Sequence, residues 1–355
     1  AAGPGALRLF RLFRGARCAV LLAAGGGGRA AAEQCASSAS VALAALGERA
    51  ADSGDHALNG LVRALYAPLQ NLVKLLRGAG GGGGALDAEA AVRAVAALDE
   101  LYFQLYYFHR AERGGDGPRV PPPADFYAEQ ESLLLARGGG GRAALRGWLG
   151  ELGEGRRTEL AQTWGLNLER LQEDGPELGG GGPGASGGVW EPAPGNALLV
   201  YFRARLTEGA LLFHGAGLGR AGEMDALPRE PRRVRGKGTV FSRAWPLLEK
   251  WRDSCRVWAC TLYAFAVPNP DALDTLAALG PVVEVGAGTG YWARLLQQRG
   301  VDVVALDRDP PAPKPQGGRR NEWHGHAPPW TRVQPGGPAD LAAHSGRTLL
   351  LVYPP

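Results

Sequence analysis

The chain has 355 residues, of which 45% are hydrophobic, so it is long enough for two domains and a sizeable core. Its 55 glycines and 26 prolines are far above ordinary usage, and its net charge of +4 permits a nucleic-acid or acidic partner without requiring one. Four scattered cysteines exclude a disulfide framework, and no apolar run reaches the roughly 18–20 residues that a membrane-spanning helix needs.

The amino-terminal segment is basic. Residues 1–32 contain no acidic residue and five arginines, and the first of these arginines alternate with leucine and phenylalanine from Leu7 to Phe13. Serines follow at Ser37, Ser38 and Ser40. This composition is typical of a mitochondrial or chloroplast transit peptide, although a basic surface helix that packs on a neighbour has the same pattern. We therefore expect residues 1–53 to be a transit-peptide-like or extended segment of an organellar protein, with the cytoplasm as the alternative location.

The next region is predicted to be helical. Apolar residues at helical spacing predict helices over 56–76, where Pro68 predicts a kink or a break, and from Asp87 to Phe108. Shorter helical patterns lie at 125–137, 142–153 and 156–173. We expect an all-helical domain from about 54 to 174 and find no catalytic constellation in it.

A linker and an accessory region come next. Residues 175–196 are rich in glycine and proline, which predicts a linker. The apolar runs Ala197–Phe202 and Leu211–Phe213 predict strands, and 242–265 predicts a helix. We therefore expect 197–278 to combine accessory strands and helices.

The accessory region also holds the main basic cluster, six arginines and lysines between Arg229 and Arg243. Such a cluster suits RNA or an acidic protein surface, and a solvated loop is the alternative. Nearby, Gly217–Gly222 matches the G-x-G-x-x-G pattern of dinucleotide sites. Asp225 and Pro228 interrupt any helix beyond it, so we do not interpret the match as a nucleotide site.

The clearest pattern lies between Pro281 and Asp309. A β-branched run, Val282–Val285, predicts a buried parallel strand. Three glycines follow it at alternate positions: Gly286, Gly288 and Gly290. The stretch Tyr291–Arg299 predicts a helix, and Val301–Leu306 predicts a second strand that ends at Asp307. Ligands bind at that end of the strands in an open parallel sheet.

Two more strands are predicted downstream, at Thr331–Gln334 and Thr348–Val352, with a short helix at Leu341–His344 between them. The fold class is therefore α/β, with a parallel sheet after a mainly helical region. His324 and His326 precede the third strand, but only one carboxylate and no cysteine lie close by. We expect them to be loop histidines and predict no metal site.

The pattern Glu284-x-Gly286-x-Gly288-x-Gly290 resembles motif I of the class I S-adenosylmethionine-dependent methyltransferases. A dinucleotide fingerprint would instead place its third glycine at Tyr291. The resemblance implies S-adenosylmethionine as cofactor, because in that family the glycine loop passes under the methionine and ribose. The cofactor residues that it implies are Glu284, Gly286, Gly288, Gly290 and Asp307, of which Asp307 would accept hydrogen bonds from the ribose hydroxyls. It also implies Asp340 as the nearest acid to the adenine amine.

The resemblance further implies a partial Rossmann-like methyltransferase sheet over residues 279–355. A full sheet of the family has seven strands in the order 3-2-1-4-5-7-6, of which strands 1 to 4 are predicted here. In amino-methyltransferases, strand 4 is followed by Asn, Asp or Ser, then Pro-Pro and an aromatic. Here Tyr353 precedes the two prolines, so no catalytic residue is assigned. Tyr353 is a candidate for lining the acceptor pocket.

Two functions stay open on the sequence. The first is a methyltransferase-like enzyme with an unknown methyl acceptor. The second is a non-catalytic structural subunit of a large organellar assembly, such as a ribosome or membrane complex, which would have protein partners. The glycine spacing argues against a third function, a nicotinamide-dependent oxidoreductase.

Overall fold

The chain folds as a mixed α/β protein, with helices before residue 281 and a four-stranded parallel sheet near the C-terminus. The computed structural model describes residues 21, 29–78, 88–101, 134–135, 140–173, 188–215, 217–219, 221–225, 244–311, 321–325 and 327–352. Three predicted features lie outside these residues: the basic segment 1–28 apart from residue 21, the basic cluster at 229–243, and Tyr353. Most of the predicted helix 125–137 and of the linker also lies outside them.

The described helices between residues 56 and 173 lie within the predicted helical region 54–174, and one earlier helix lies within the segment 1–53 that was predicted to be transit-peptide-like or extended. They are α1 (Arg29–Asp52), α2 (His56–Gly78), α3 (Ala88–Leu101), α4 (Gly141–Gly150), α5 (Glu154–Trp164) and α6 (Leu168–Gln172). Pro68 lies inside α2 and does not divide it into two helices. The predicted helix 156–173 is in fact two helices, because Gly165 ends α5 in the left-handed conformation and Asn167 caps α6.

The two strands predicted at Ala197–Phe202 and Leu211–Phe213 are wrong. These residues form a helix, α7 (Ala197–Gly209), which continues as a π-helical segment over Ala210–Gly215. Almost every residue of α7 is buried, so the helix has no polar face to give the sequence a helical period. A short apolar run buried on all sides has the same composition as a buried strand.

The remaining elements lead into the sheet. They are α8 (Ala221–Asp225), α9 (Trp245–Leu262), α10 (Pro270–Ala278), β1 (Val282–Val285), α11 (Tyr291–Gln298), β2 (Val303–Asp307), β3 (Val333–Pro335), a 3-10 helix (Pro338–His344) and β4 (Thr348–Leu350). The predicted strand–helix–strand unit and the two later strands are confirmed, with starting residues shifted by at most two positions. All strand pairs are parallel.

The strand order is β3-β2-β1-β4, so β1 and β2 are central among the described strands. Val282 of β1 lies opposite Val303 of β2 on one side and Thr348 of β4 on the other. The chain therefore moves outward in one direction from β1 to β3 and returns to the other side for β4. In open α/β sheets, the carboxyl end of the strands at such a switch point is where a ligand crevice forms.

Two main clusters of buried apolar residues hold the fold together. One joins α1, α2 and α3 to α9, α10, α11 and the sheet, and the other joins α4, α5 and α6 to the π-helical segment and the start of α9. Helix α7 contributes to both, with Leu198 in the first cluster and Leu199 in the second. Both clusters combine residues from before and after the linker predicted at 175–196. The domain boundaries themselves stay a prediction.

The carboxyl end of α9 is bound by side chains from the sheet region. The last carbonyls of a helix have no intrahelical donor and need partners from elsewhere. Here a ring nitrogen, two indole N–H groups and a hydroxyl contact carbonyls in the last turn of α9 and just beyond it. The pairs are His324 with Thr261 at 2.8 Å, Trp330 with Leu262 at 2.9 Å, Trp292 with Ala266 at 3.1 Å, and Thr289 with Tyr263. The helical region and the glycine loop are therefore joined by buried polar bonds as well as by apolar packing.

A second polar joint connects the start of α7 to the start of α11. The hydroxyl of Tyr291 accepts a hydrogen bond from the backbone N–H of Leu198 at 3.1 Å and donates to Oδ1 of Asn196 at 3.2 Å. The Nδ2 of Asn196 donates to the carbonyl of Pro268 at 2.6 Å. Burial raises the pKa of Tyr291, so the phenol stays protonated and keeps its donor.

Replacing Tyr291 by Phe is expected to lower the free energy of unfolding by about 1–2 kcal/mol, because it leaves the buried N–H of Leu198 without its acceptor. Urea denaturation of the variant and the wild type measures the loss. Tyr66→Phe is the matched control, since Tyr66 is 42% exposed. An equal, negligible loss in both variants would contradict the role given to this bond.

Candidate cofactor site

The loop between β1 and α11 turns on the three predicted glycines. Gly286, Gly288 and Gly290 have φ angles of +75°, +53° and +71°, in the left-handed region that side-chain-bearing residues seldom adopt. Gly290 is also the N-cap of α11. The predicted sharp turn is therefore confirmed, while its role in binding a cofactor stays a prediction.

The three glycines differ in what surrounds them. A Cβ on Gly288 would overlap Nε2 of His324, and a Cβ on Gly290 would lie 2.8 Å from Cγ2 of Val333. A Cβ on Gly286 would meet nothing within 4 Å. Gly288 and Gly290 are thus required by the packing of the protein itself, whereas Gly286 leaves one side of the backbone open to an approaching ligand.

Asp307, the last residue of β2, contacts the glycine loop directly. Its Oδ2 accepts the backbone N–H of Gly288 at 2.8 Å. Its Oδ1 accepts the N–H of Asp309 at 3.0 Å and faces Nδ2 of Asn321 at 3.4 Å. The structure thus brings the predicted ribose-binding acid to the predicted loop, although 19 residues separate Asp307 from Gly288. The contact with Asn321 is the longest of the three and the easiest for a ligand hydroxyl to replace.

A turn at residues 321–325 completes the site, and Asn321 organises it. The Oδ1 of Asn321 accepts the N–H groups of Trp323 at 3.0 Å and His324 at 2.7 Å. Its Nδ2 donates to the carbonyl of Asp309 at 2.7 Å. This arrangement, in which an Asn side chain mimics the backbone of a turn, holds His324 against the loop.

His324 is the site residue that sequence reasoning missed. The sequence predicts a loop histidine with no ligand role; the structure places it in a turn, where it is buried against Gly288, and the absence of a ligand role stays a prediction. The Asn-x-x-His spacing that forms the turn is visible in the sequence, but the packing partner of the ring is not. Burial lowers the pKa of His324, and the bond to Thr261 and the charge of Asp307 offset this in part.

Glu284 lies in the central strand β1 and is only 2% exposed. The backbone N–H of Ala293, in the first turn of α11, bonds to its carboxyl group, and its Oε2 has no partner among the described residues. Burial raises the pKa of Glu284 to about 8, the bond from Ala293 lowers it, and the nearby charge of Asp307 raises it further. Glu284 is therefore mainly protonated near pH 7.

Two kinds of feature are not found in the described part of the chain. It holds no group of three or more histidine, cysteine, aspartate or glutamate side chains placed to bind a metal ion. None of its helices combines the length and apolar character that crossing a bilayer requires.

Asp340, the acid proposed for the adenine, accepts a hydrogen bond from the backbone N–H of Gly337 at 2.8 Å, at the start of the 3-10 helix.

The chain was compared with protein-family models, with curated proteins and with solved structures. None of the three comparisons found a match. The functional argument therefore rests on the geometry above and on the motif resemblance.

Replacing Glu284 by Gln is expected to remove a pH dependence of stability. The folded protein holds a proton on Glu284 up to about pH 8, whereas the unfolded chain releases it near 4.5. The associated stability is fully present below the unfolded pKa and falls by about 1.4 kcal/mol per pH unit as the pH rises towards the folded pKa. Urea denaturation of both proteins at about pH 5.5 and 8.5 measures the difference.

The exposed Glu154 offers the control variant Glu154→Gln, which should keep the wild-type slope. A Glu284→Gln protein that also keeps that slope would show that the carboxyl group is not the source.

The contact between His324 and Gly288 predicts a coupling between the two residues. Gly288→Ala should destabilise the protein by more than Gly286→Ala, which adds only the left-handed strain of roughly 1–2 kcal/mol. In the double variant with His324→Ala, the added methyl group no longer meets the ring. A double-mutant cycle on the free energy of unfolding is expected to give an interaction of at least about 1 kcal/mol. Additive losses would mean that the ring does not lie over Gly288.

Proposed function

We propose that the protein binds S-adenosylmethionine and acts as a methyltransferase of the class I type, with a methyl acceptor still to be identified. The observation that carries this proposal is the bond between Gly288 and Asp307. It joins a left-handed glycine loop at the end of β1 to an acid at the end of β2, and the motif resemblance assigns both to the cofactor.

The position in the sheet supports a ligand at this loop. The loop follows β1, the strand from which the order β3-β2-β1-β4 reverses. Carboxyl ends of parallel strands at such a reversal leave a crevice, because the flanking connections pass to opposite faces of the sheet. Gly286 faces open space at this place.

The charges around the loop favour a nucleoside without phosphate at its ribose end. Asp307 offers carboxylate oxygens, which suit a neutral diol and repel a phosphate. Arg308 is the neighbouring cation, but its side chain is 78% exposed and bonds to Asp309 at 2.8 Å. Glu284 adds a second carboxyl group near Asp307, and a cationic ligand would favour its ionised form.

The protein would contribute alignment more than acid–base chemistry. When bound, S-adenosylmethionine supplies an electrophilic methyl group to a nucleophile placed in line with it. Asp307 would hold the ribose and Gly286 would admit the ligand, so the bound group is oriented before reaction. Tyr353, the candidate for lining the acceptor pocket, lies outside the described residues.

A second candidate function is supported by a different observation. Both oxygens of Asp307 already have donors from the protein, and the ring of His324 already packs on Gly288. A loop that satisfies its own polar groups is stable without a ligand, as a non-catalytic subunit of an organellar assembly would require. Protein partners, RNA contact through Arg229–Arg243 and an organellar location belong to this candidate.

Calorimetric titration with S-adenosylmethionine tests the proposal. We expect micromolar binding by the wild type and at least a roughly tenfold loss in Asp307→Asn, which loses the charge of the ribose-binding group. Gly286→Ala is expected to weaken binding as well, because its methyl group enters the open space.

Gly54→Ala is the matched control. Gly54 has a φ of +71° and an equally open surrounding, but it lies in the turn between α1 and α2. It should carry the same strain and leave binding unchanged. An absence of binding by the wild type at millimolar cofactor would contradict the enzyme proposal and favour the second candidate.

A further inference from the structure

His324 is an ionisable side chain placed directly against the glycine loop. Its ring is 7% exposed and lies edge-to-face with Phe265, at 5.6 Å between centroids. The residue N–H is held by Asn321, so the backbone as well as the ring is positioned. The ring is therefore held in one position, between the end of α9 and Gly288.

The hydrogen bonds identify which ring nitrogen changes its proton. Nδ1 lies 2.8 Å from the carbonyl oxygen of Thr261, which can only accept, so Nδ1 carries a hydrogen. Nε2 is then the unprotonated nitrogen of the neutral ring, and it is the ring atom nearest to the position of a Cβ on Gly288. Protonation would therefore place a new N–H and a positive charge on the side of the ring that faces the loop.

The charged groups around His324 do not cancel that new charge fully. From β2 it faces Asp307, and Asp307 in turn acts on Glu284 of β1, which is mainly protonated below about pH 8. The end of α9 contributes an uncharged carbonyl and the ring of Phe265. On its own turn, Glu322 is 69% exposed and lies 4.0 Å from Arg308. Of the described groups, Asp307 alone combines a charge with a close approach, and the ribose would share that carboxylate.

We propose that His324 determines which charge the site accepts: the neutral ring admits a cationic sulfonium nucleoside, and the protonated ring favours the neutral thioether that remains after methyl transfer. This inference rests on the proposed function. Asp307 bonds to the N–H of Gly288, so a ribose on Asp307 lies beside the loop. The sulfur is attached to the same sugar, so it would lie near the loop that the imidazole contacts.

Two ligands that differ in the charge on sulfur make the effect of the His324 charge measurable. S-Adenosylmethionine and S-adenosylhomocysteine share adenine, ribose, ammonium and carboxylate groups and differ in the charge on sulfur. Any change that acts only through the shared groups, such as titration of the ligand ammonium, cancels in the ratio of the two dissociation constants. A change in that ratio with pH reports a protein charge close to the sulfur.

The test is calorimetric titration of both ligands between about pH 5 and 7, with the full chain as wild type, His324→Gln and His214→Gln. Burial lowers the pKa of His324, so we expect the wild-type ring to become charged only as the pH falls below the usual range of histidine. The preference for the cation should then fall by at least about fivefold, which is the effect of two like charges about 4 Å apart even at the dielectric constant of bulk water.

Gln cannot titrate, so the ratio in His324→Gln should not change with pH. His214 lies in the π-helical segment, 3.5 Å from the exposed Glu151; it is the matched histidine, and its variant should keep the wild-type change. A wild-type ratio that does not change with pH, or a His324→Gln ratio that does, overturns this inference while leaving cofactor binding intact. No binding of either ligand overturns the proposed function and this inference together.

Discussion

The geometry of the candidate site depends on the bonding of the carboxyl end of α9. Its last carbonyls need donors, and they find them in Thr289 of the glycine loop, His324 of the following turn and Trp330 before β3. Each donor lies in or beside the candidate site. Because an unpaired buried carbonyl costs free energy, these bonds hold the loop in one position relative to the helical region.

This dependence makes the helical region part of the site. The ring of Tyr263, immediately after α9, stacks on Trp330 at 5.0 Å between centroids and meets Tyr291 edge-on at 5.1 Å. Tyr291 in turn bonds to the start of α7. A continuous set of buried aromatic and polar contacts therefore runs from the two apolar cores to the loop. The helices and the sheet region consequently form a common structure around the site.

The ionisable groups in and beside the glycine loop carry little net charge near neutral pH. Glu284 is mainly protonated near neutral pH, burial favours the neutral ring of His324, and Asp307 accepts from three N–H donors. Such an arrangement is stable without a ligand and also responsive to one, because a cation would favour ionisation of Glu284 and disfavour protonation of His324. The two candidate functions differ in whether this response is used.

The sequence alone determined the sheet and the loop. Short β-branched runs, glycines at alternate positions and an acid at the end of a strand are local patterns, and each produces the same local structure in many contexts. It did not determine α7, whose polar residues are buried so that no helical period is visible, nor the place of His324. Both depend on contacts with residues distant in the chain: α7 packs between two apolar cores, and His324 contacts Thr261 and Gly288. Such long-range contacts produce no periodic pattern in the local sequence.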